Sequence, residues 1–281
     1  MNNWSYENEQ WTQLPGHMKH LPLFTRQFDL TSWFFRMLWG AFLSFIFRFY
    51  VFLKVKGDYH ELWKKHPRLL VISNHASHID AVSITASIPI KYWLDLYISA
   101  AKDYWFSNPL FTFFSKHCLG AIPIDRKDKK GEAIKLCTTL LTKLDRIWLI
   151  LFPEGTRSSD GYINEFKKGV VIFSQRTKTP ILCLYLEGNS TLFPKGAAFA
   201  KPGVMTVHIG PVLMPDEAHL INEKYKEWVL TINPNAYRPN PEIVDNTEDE
   251  FMINNENKSD SELNSEKAEP RSFDGKYENQ D

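Results

Sequence analysis

Cysteine is scarce: Cys118, Cys137 and Cys183 are the only three in 281 residues. None belongs to a C-x-x-C pair, and three cannot all pair among themselves. The sequence therefore reads as a protein of a reducing compartment, not a disulfide scaffold. The opening MNNWSYENEQW lacks the basic start and apolar run of a signal peptide. No internal repeat is visible, and no G-x-S-x-G nucleophile elbow occurs. Net charge is absent too, with 33 Lys/Arg against 33 Asp/Glu. The length suits one large domain with its own core, or two small ones.

The charge is unevenly spread. From residue 240 to the end there are 13 Asp/Glu and 4 Lys/Arg, leaving 29 Lys/Arg and 20 Asp/Glu in residues 1–239. A basic body suggests an anionic partner: nucleic acid, a phospholipid surface or a phosphorylated small molecule. The cations are not interleaved with aromatics in any recognisable nucleic-acid module, which argues against nucleic acid. The acidic tail, 240–281, has few large apolar residues. It cannot bury enough surface to offset its ordering entropy and is expected to be disordered.

What the chain does have is an aromatic segment. Ten of the twenty residues from Trp33 to Phe52 are aromatic. Its longest uncharged run, Met37 to Phe47, is eleven residues, short of the roughly 20 that span a bilayer. Arg36, Arg48 and Lys54 interrupt it. On a helix, Arg36 and Lys54 share a side. Residues 1–57 are thus expected to form an N-terminal segment whose helix lies in a membrane interface, aromatics at headgroup level and cations reaching for phosphates. A buried core helix is the alternative.

Residues 58–239 alternate apolar runs with helical patterns. LLVIS (69–73), LYISAA (96–101), AIPI (121–124), IWLILF (147–152), ILCLYL (181–186) and VMTVHI (204–209) read as strands covered on both faces. Helices are expected over 80–88, 107–118, 131–145 and 167–178. In the third, Ile134, Cys137, Leu140, Leu141 and Leu144 share one arc. The alternation predicts an α/β fold, a mostly parallel central sheet flanked by helices. Ligands in such sheets bind beyond the carboxyl ends of the strands.

Four strand ends carry polar chemistry: NHASHID (74–80), DR with Arg126, PEGTRSS (153–159) and EGNS (187–190). In NHASHID a metal is one reading, but no third His or Cys cluster follows at metal-site spacing. An acid/base pair of His75 and Asp80 is another. Five residues apart, they meet only if the chain turns between them, as at a strand-to-helix junction. The aspartate then fixes the imidazole and leaves one nitrogen as a base. The plain alternative is Asp80 as a helix cap and His75 as a satisfied core histidine. Gly155 allows a close backbone approach, and Arg157 offers a planar fork suited to phosphate.

In this order, the segments resemble the glycerophospholipid acyltransferase family, whose best-known members are 1-acylglycerol-3-phosphate (lysophosphatidate) acyltransferases. The likeness covers about residues 55–212. NHASHID resembles the family's His-x4-Asp motif, with His78 at a variable position. GAIPIDR (120–126) resembles the second block, FPEGTRS (152–158) the third, EFKKG (165–169) the run that follows it, and TPILCLYLEG (179–188) the fourth, with Cys183 where a proline is common.

The resemblance implies acyl transfer from a thioester, acyl-CoA or acyl carrier protein, to the hydroxyl of a lysophospholipid, with no cofactor and no metal. It implies His75 and Asp80 as the catalytic pair. Gly120, Arg126, Phe152, Pro153, Glu154, Gly155, Thr156, Arg157 and Lys168 would form the substrate site. Arg126 and Arg157 would hold the acceptor phosphate, Glu154 the glycerol hydroxyls, and Lys168 would add a third cation. Apolar surface including residues 104–114 would take the acyl chain. The protein would be monotopic or peripheral, on the cytoplasmic face of a membrane. Another lyso-lipid acceptor, or a non-catalytic lipid-binding protein on the same fold, are the alternatives.

Overall fold

The apolar runs become strands, and their alternate residues divide between two cores. The structure is a computed structural model and describes residues 30–124, 132–194, 196–197 and 199–239. Strand β1 is Val51–Lys56, β2 Arg68–Ser73, β3 Leu96–Ala101, β4 Ala121–Ile124, β5 Ile147–Leu151, β6 Ile181–Glu187 and β7 Gly203–Leu213. They form one sheet in the order β1-β7-β6-β2-β5-β3-β4. Every pairing is parallel except β6 with β7. Five strands therefore run together, and β7 and β1 run the other way.

Side chains alternate across a pleated strand, so a strand buried on both faces needs apolar residues throughout. Leu70, Ile72, Leu149, Ile181 and Cys183 face one core, with helices α6 (Glu132–Lys143), α7 (Gly169–Thr177) and α9 (Ile221–Leu230) against them. Leu69, Val71, Trp148, Leu182 and Leu184 face the other, with α1 (Leu30–Phe49) and α3 (Asp80–Ser87). On α6 the core stripe is Leu136, Cys137, Leu140 and Leu141, continued by Leu144. Ile134, expected in that stripe, is 36% exposed. At about 100° per residue Leu136 falls beside Leu140 on the buried arc, whereas Ile134 falls at its margin beyond Leu141.

The N-terminal segment departs from expectation at two points. Residues 51–56 are not helical; β1 pairs with β7 as the sheet's edge, so Lys54 sits on a strand. Arg36 does not reach outward. It is 6% exposed and donates from Nη1 to the carbonyl oxygens of Trp93, at 2.6 Å, and Leu96, at 3.5 Å. Those carbonyls end the 3-10 turn Ile90–Asp95 and start β3, and the arginine satisfies them where water cannot reach. Leu43 and Phe47 are also buried. The opposite face of α1 exposes Leu30, Phe34, Leu38, Phe42, Phe45 and Phe49. The helix is thus half core and half bare apolar surface, and no described helix is long and apolar enough to cross a membrane.

α4 (Lys102–Trp105) follows β3, and beside α1 lie α5 (Pro109–Phe114) and a π-helical turn, Ser115–Leu119. Asn108 caps α5 by accepting Phe111 N at 2.9 Å. Phe35 meets Phe113, and Trp39 meets Phe114, edge to face at 5.0 and 4.8 Å. The remaining α2 (His60–Lys65) and α8 (Asn189–Leu192) are short. The compact unit ends at Tyr237; of the second, Arg238–Asp281, only residues 238 and 239 are described. The acidic tail and Arg126 lie outside the described residues.

Candidate active site

Because β2 lies between β6 and β5 and all three are parallel, the loops leaving them are neighbours at one sheet edge. Two hydrogen bonds join the first two. Asn74 accepts Leu186 N at 2.8 Å on Oδ1 and donates through Nδ2 to Leu186 O at 3.1 Å. Tyr225 of α9 adds a third tie: its hydroxyl accepts Asn74 N at 3.2 Å and donates to Leu184 O at 2.8 Å.

With Asn74 fixed, the chain turns and enters α3 at Asp80. His75 Nδ1 and Asp80 Oδ2 are 2.8 Å apart. Ala76 N and Ser77 N also donate to Oδ2, each at 2.8 Å. Two backbone N–H groups thus already donate to Oδ2, and the His75–Asp80 contact is a hydrogen bond in the tautomer that carries its proton on Nδ1. In that tautomer Nε2 keeps its lone pair and is the nitrogen available as a base. Asp80 is fully buried, whereas the His75 side chain is 21% exposed. The aspartate caps the turn and orients the histidine at once.

FPEGTRS wraps the other side of His75. The Phe152 ring stacks on the imidazole, centroids 4.1 Å apart. Ser158 N donates to His75 O at 2.7 Å. Glu154 departs from its expected role. It is 3% exposed; Oε1 accepts His75 N at 2.7 Å, and Oε2 accepts Asn164 N at 3.2 Å and Asn164 Nδ2 at 2.8 Å. Burial holds its carboxyl above the usual carboxylate range, against the smaller opposing pull of the donors from His75 and Asn164. With both oxygens used inside the protein, Glu154 holds the backbone of His75 and is not placed to grip glycerol hydroxyls.

A cavity of about 310 Å³ opens in front of His75. His75, His78, Phe152 and Arg157 line it, together with the apolar Val82, Ile98, Leu119 and Ala121. Arg157 Nη1 is buried with no hydrogen-bond partner among the described residues. A buried guanidinium donor without an acceptor is costly, and an anion in the cavity would supply one. Burial, then the neighbouring Arg157 and His75, hold His78 below the usual histidine range.

The other expected residues divide. Gly120 adopts φ +63°, where a Cβ would collide with the Arg36 guanidinium and come within 2.9 Å of Leu96 O. It shapes the turn between two wall residues and does not itself line the cavity. Gly155, at φ +73°, leaves room for Lys167, whose Nζ a Cβ would meet at 2.6 Å. Pro153 is buried and its carbonyl accepts Lys167 N at 3.0 Å. Thr156 and Lys168 are exposed and line no part of the cavity. Lys168 instead immediately precedes α7, and Lys167 is the lysine beside the FPEGT loop. Tyr104 and Trp105 reach the cavity wall, whereas Leu110, Phe111 and Phe113 face outward. Residues 99–103 also line it in part, although the end of β3 was not among the four polar strand ends singled out from sequence. Asn164 and Tyr225 had no sequence signal, since their roles depend on contacts 10 and 151 residues away. Among the described residues no three His, Cys, Asp or Glu come together as a metal site.

Residues 54–187 match the family model described as Acyltransferase. A 1-acyl-sn-glycerol-3-phosphate acyltransferase of Limnanthes douglasii is 32% identical over 169 residues, covering 59% of this chain and 56% of the relative. The 1-acyl-sn-glycerol-3-phosphate acyltransferase alpha of Mus musculus is 27% identical over 190 residues, covering 64% and 63%. The chain thus matches less than two thirds of the length of these relatives. A solved structure, the 1-acyl-sn-glycerophosphate acyltransferase PlsC of Thermotoga maritima, shares the fold with a TM-score of 0.56 at 21% identity, over 73% of this chain and 81% of that one. Residues 54–187 of this chain are thus similar to the acyltransferase family.

Proposed function

We propose that the protein transfers an acyl chain from an acyl thioester to the free hydroxyl of a lysophospholipid, with 1-acylglycerol-3-phosphate as acceptor and phosphatidate as product. The observation that carries this reading is the His75–Asp80 pair at a cavity lined both by apolar residues and by Arg157, whose buried Nη1 has no hydrogen-bond partner among the described residues. An acyl chain and a phosphate are the two ends such a cavity fits. The names of the relatives support the same acceptor.

The acceptor hydroxyl donates its proton to His75 Nε2 as its oxygen attacks the thioester carbonyl. Asp80 stabilises the imidazolium that forms. The tetrahedral intermediate collapses and expels a thiolate, which takes the proton back from His75. No acyl-enzyme and no cofactor are needed, and the donor is acyl-CoA or acyl carrier protein. Arg157 holds the phosphate. The exposed apolar face of α1, with Leu110 and Phe111 nearby in sequence to the cavity wall, rests on the cytoplasmic face of a membrane without crossing it.

The test is the purified chain with a panel of lyso-lipids and both donor types, read by mass spectrometry, beside His75→Ala and His78→Ala. Lysophosphatidate should be acylated, and His75→Ala should lose about 10²–10⁴-fold in rate while His78→Ala loses far less. No transfer to any acceptor would leave the non-catalytic lipid-binding alternative. Equal losses at both histidines would remove His75 from its role.

A further inference from the structure

Asp80 has a second carboxylate oxygen, and a residue far along the chain holds it. Oδ1 accepts from Asn189 Nδ2 at 3.0 Å, across 109 residues of sequence. Both groups are buried, Asp80 at 0% exposure and Asn189 at 3%. The direction of the amide is fixed by its other end: Asn189 Oδ1 accepts Ser190 N at 2.9 Å, so the NH₂ must face the carboxylate. The backbone is built to deliver it. Gly188 follows β6 at φ +85°, and a Cβ there would meet Val204 O at 2.7 Å, so only glycine allows the turn directly into α8. Asn189 does not line the cavity of His75; it borders a separate polar recess of about 300 Å³ with Asn74 and Asn233.

We propose that Asn189 is a positioning residue for the His75–Asp80 pair: its amide fixes the plane of the Asp80 carboxylate and compensates part of its charge. This rests on the reading of His75 as the base. The four donors to Asp80 then come from three sources: the histidine, the backbone of the turn, and the loop after β6. A hydrogen bond to a carboxylate is among the stronger kinds, and here it is shielded from water. Without it the carboxylate can rotate away from Nδ1. Its uncompensated charge also holds a proton on the imidazole more tightly, so the free base is available only at higher pH.

The experiment compares Asn189→Ala, Asn189→Asp, Thr191→Ala and His75→Ala in the full chain. Thr191 is an exposed residue of the same short helix whose hydroxyl donates only to Gly188 O, so its variant controls for disturbance of α8. Asn189→Ala should lower kcat roughly 10–100-fold, less than loss of the base itself, with both KM values within about threefold of wild type. The acidic limb of the kcat profile should move to higher pH. In Asn189→Asp, which keeps the side-chain shape but sets a second carboxylate beside the first, the limb should move further. If the alanine variant fails to fold, the aspartate variant decides. A wild-type kcat and pH profile in the Asn189 variants overturns the proposal. So does a loss of kcat with the limb unmoved, which would make Asn189 a scaffold residue only. His75→Ala separates the two levels: if it stays active, the base reading falls and this inference with it. If it is inactive while the Asn189 variants behave as wild type, only this inference falls.

Discussion

Glu154→Gln distinguishes two roles for one carboxylate. A glutamate in a substrate site would grip the acceptor; the structure has it gripping the protein. Its oxygens accept three N–H groups, His75 N and two from Asn164, and it is almost fully buried. Glutamine has the same shape but only one acceptor oxygen and an NH₂ in place of the other. Either way the amide is turned, at least one N–H donor faces that NH₂. A buried donor left unmatched costs about 1–3 kcal/mol, and the surviving bonds lose their charge assistance. A cost near 2 kcal/mol lowers Tm by roughly 4–8 °C in a domain of this size. With the amide oxygen kept on Asn164, the NH₂ opposes His75 N and displaces the backbone that carries the imidazole. A shift of about 1 Å at a reacting group costs on the order of 10²-fold, so kcat should fall roughly 10–100-fold with acceptor KM little changed. Thermal melts and steady-state kinetics over acceptor concentration measure all three quantities. An unchanged Tm with a tenfold higher acceptor KM and intact kcat would refute the reasoning, because it would put the carboxylate on the substrate.

Arg157→Lys keeps the charge but loses the planar fork, so it should raise KM for a phosphate-bearing acceptor about tenfold or more and leave donor KM nearly unchanged; kinetics with each substrate varied in turn check this. A defect confined to the donor would move Arg157 to the thioester side. Replacing Phe45, Phe49 and Leu110, which are 59%, 64% and 81% exposed, by Gln should weaken liposome binding in flotation by roughly 10²-fold, at about 1 kcal/mol for each partly buried side chain. Wild-type binding should survive high salt, since the apolar contribution is not screened. Full release by salt alone would make the basic body the anchor.

Much of the fold was legible because the parallel strands are buried on both faces, and such strands announce themselves as continuous apolar runs. All six of the expected runs are strands within two residues at their starts. VFLKVK at 51–56 was not recognised, because an edge strand beside an aromatic helix carries no such signature: its burial falls from Val51 to exposed Lys54, Val55 and Lys56. The composition of 33–52 gave the aromatic face of α1 but not the inward turn of Arg36. Helical periodicity places a cation on a side of the helix, while two carbonyls from residues 93 and 96 decide which side is inside.

Sequence alone determined the chemistry that could occur. The His-x4-Asp spacing requires a chain reversal at the end of a strand, and the motif order carried the resemblance. Tertiary structure decided which of these groups face the cavity. Glu154 and Arg157 lie three residues apart in one motif, yet one is spent on the backbone of His75 and the other lines the cavity. Asn74, Asn164, Asn189 and Tyr225 became part of the site only when strand order set β2 between β5 and β6. The physical reason is that a buried polar group must be matched, and its match is chosen by whatever the fold brings within about 3 Å, not by its neighbours in sequence.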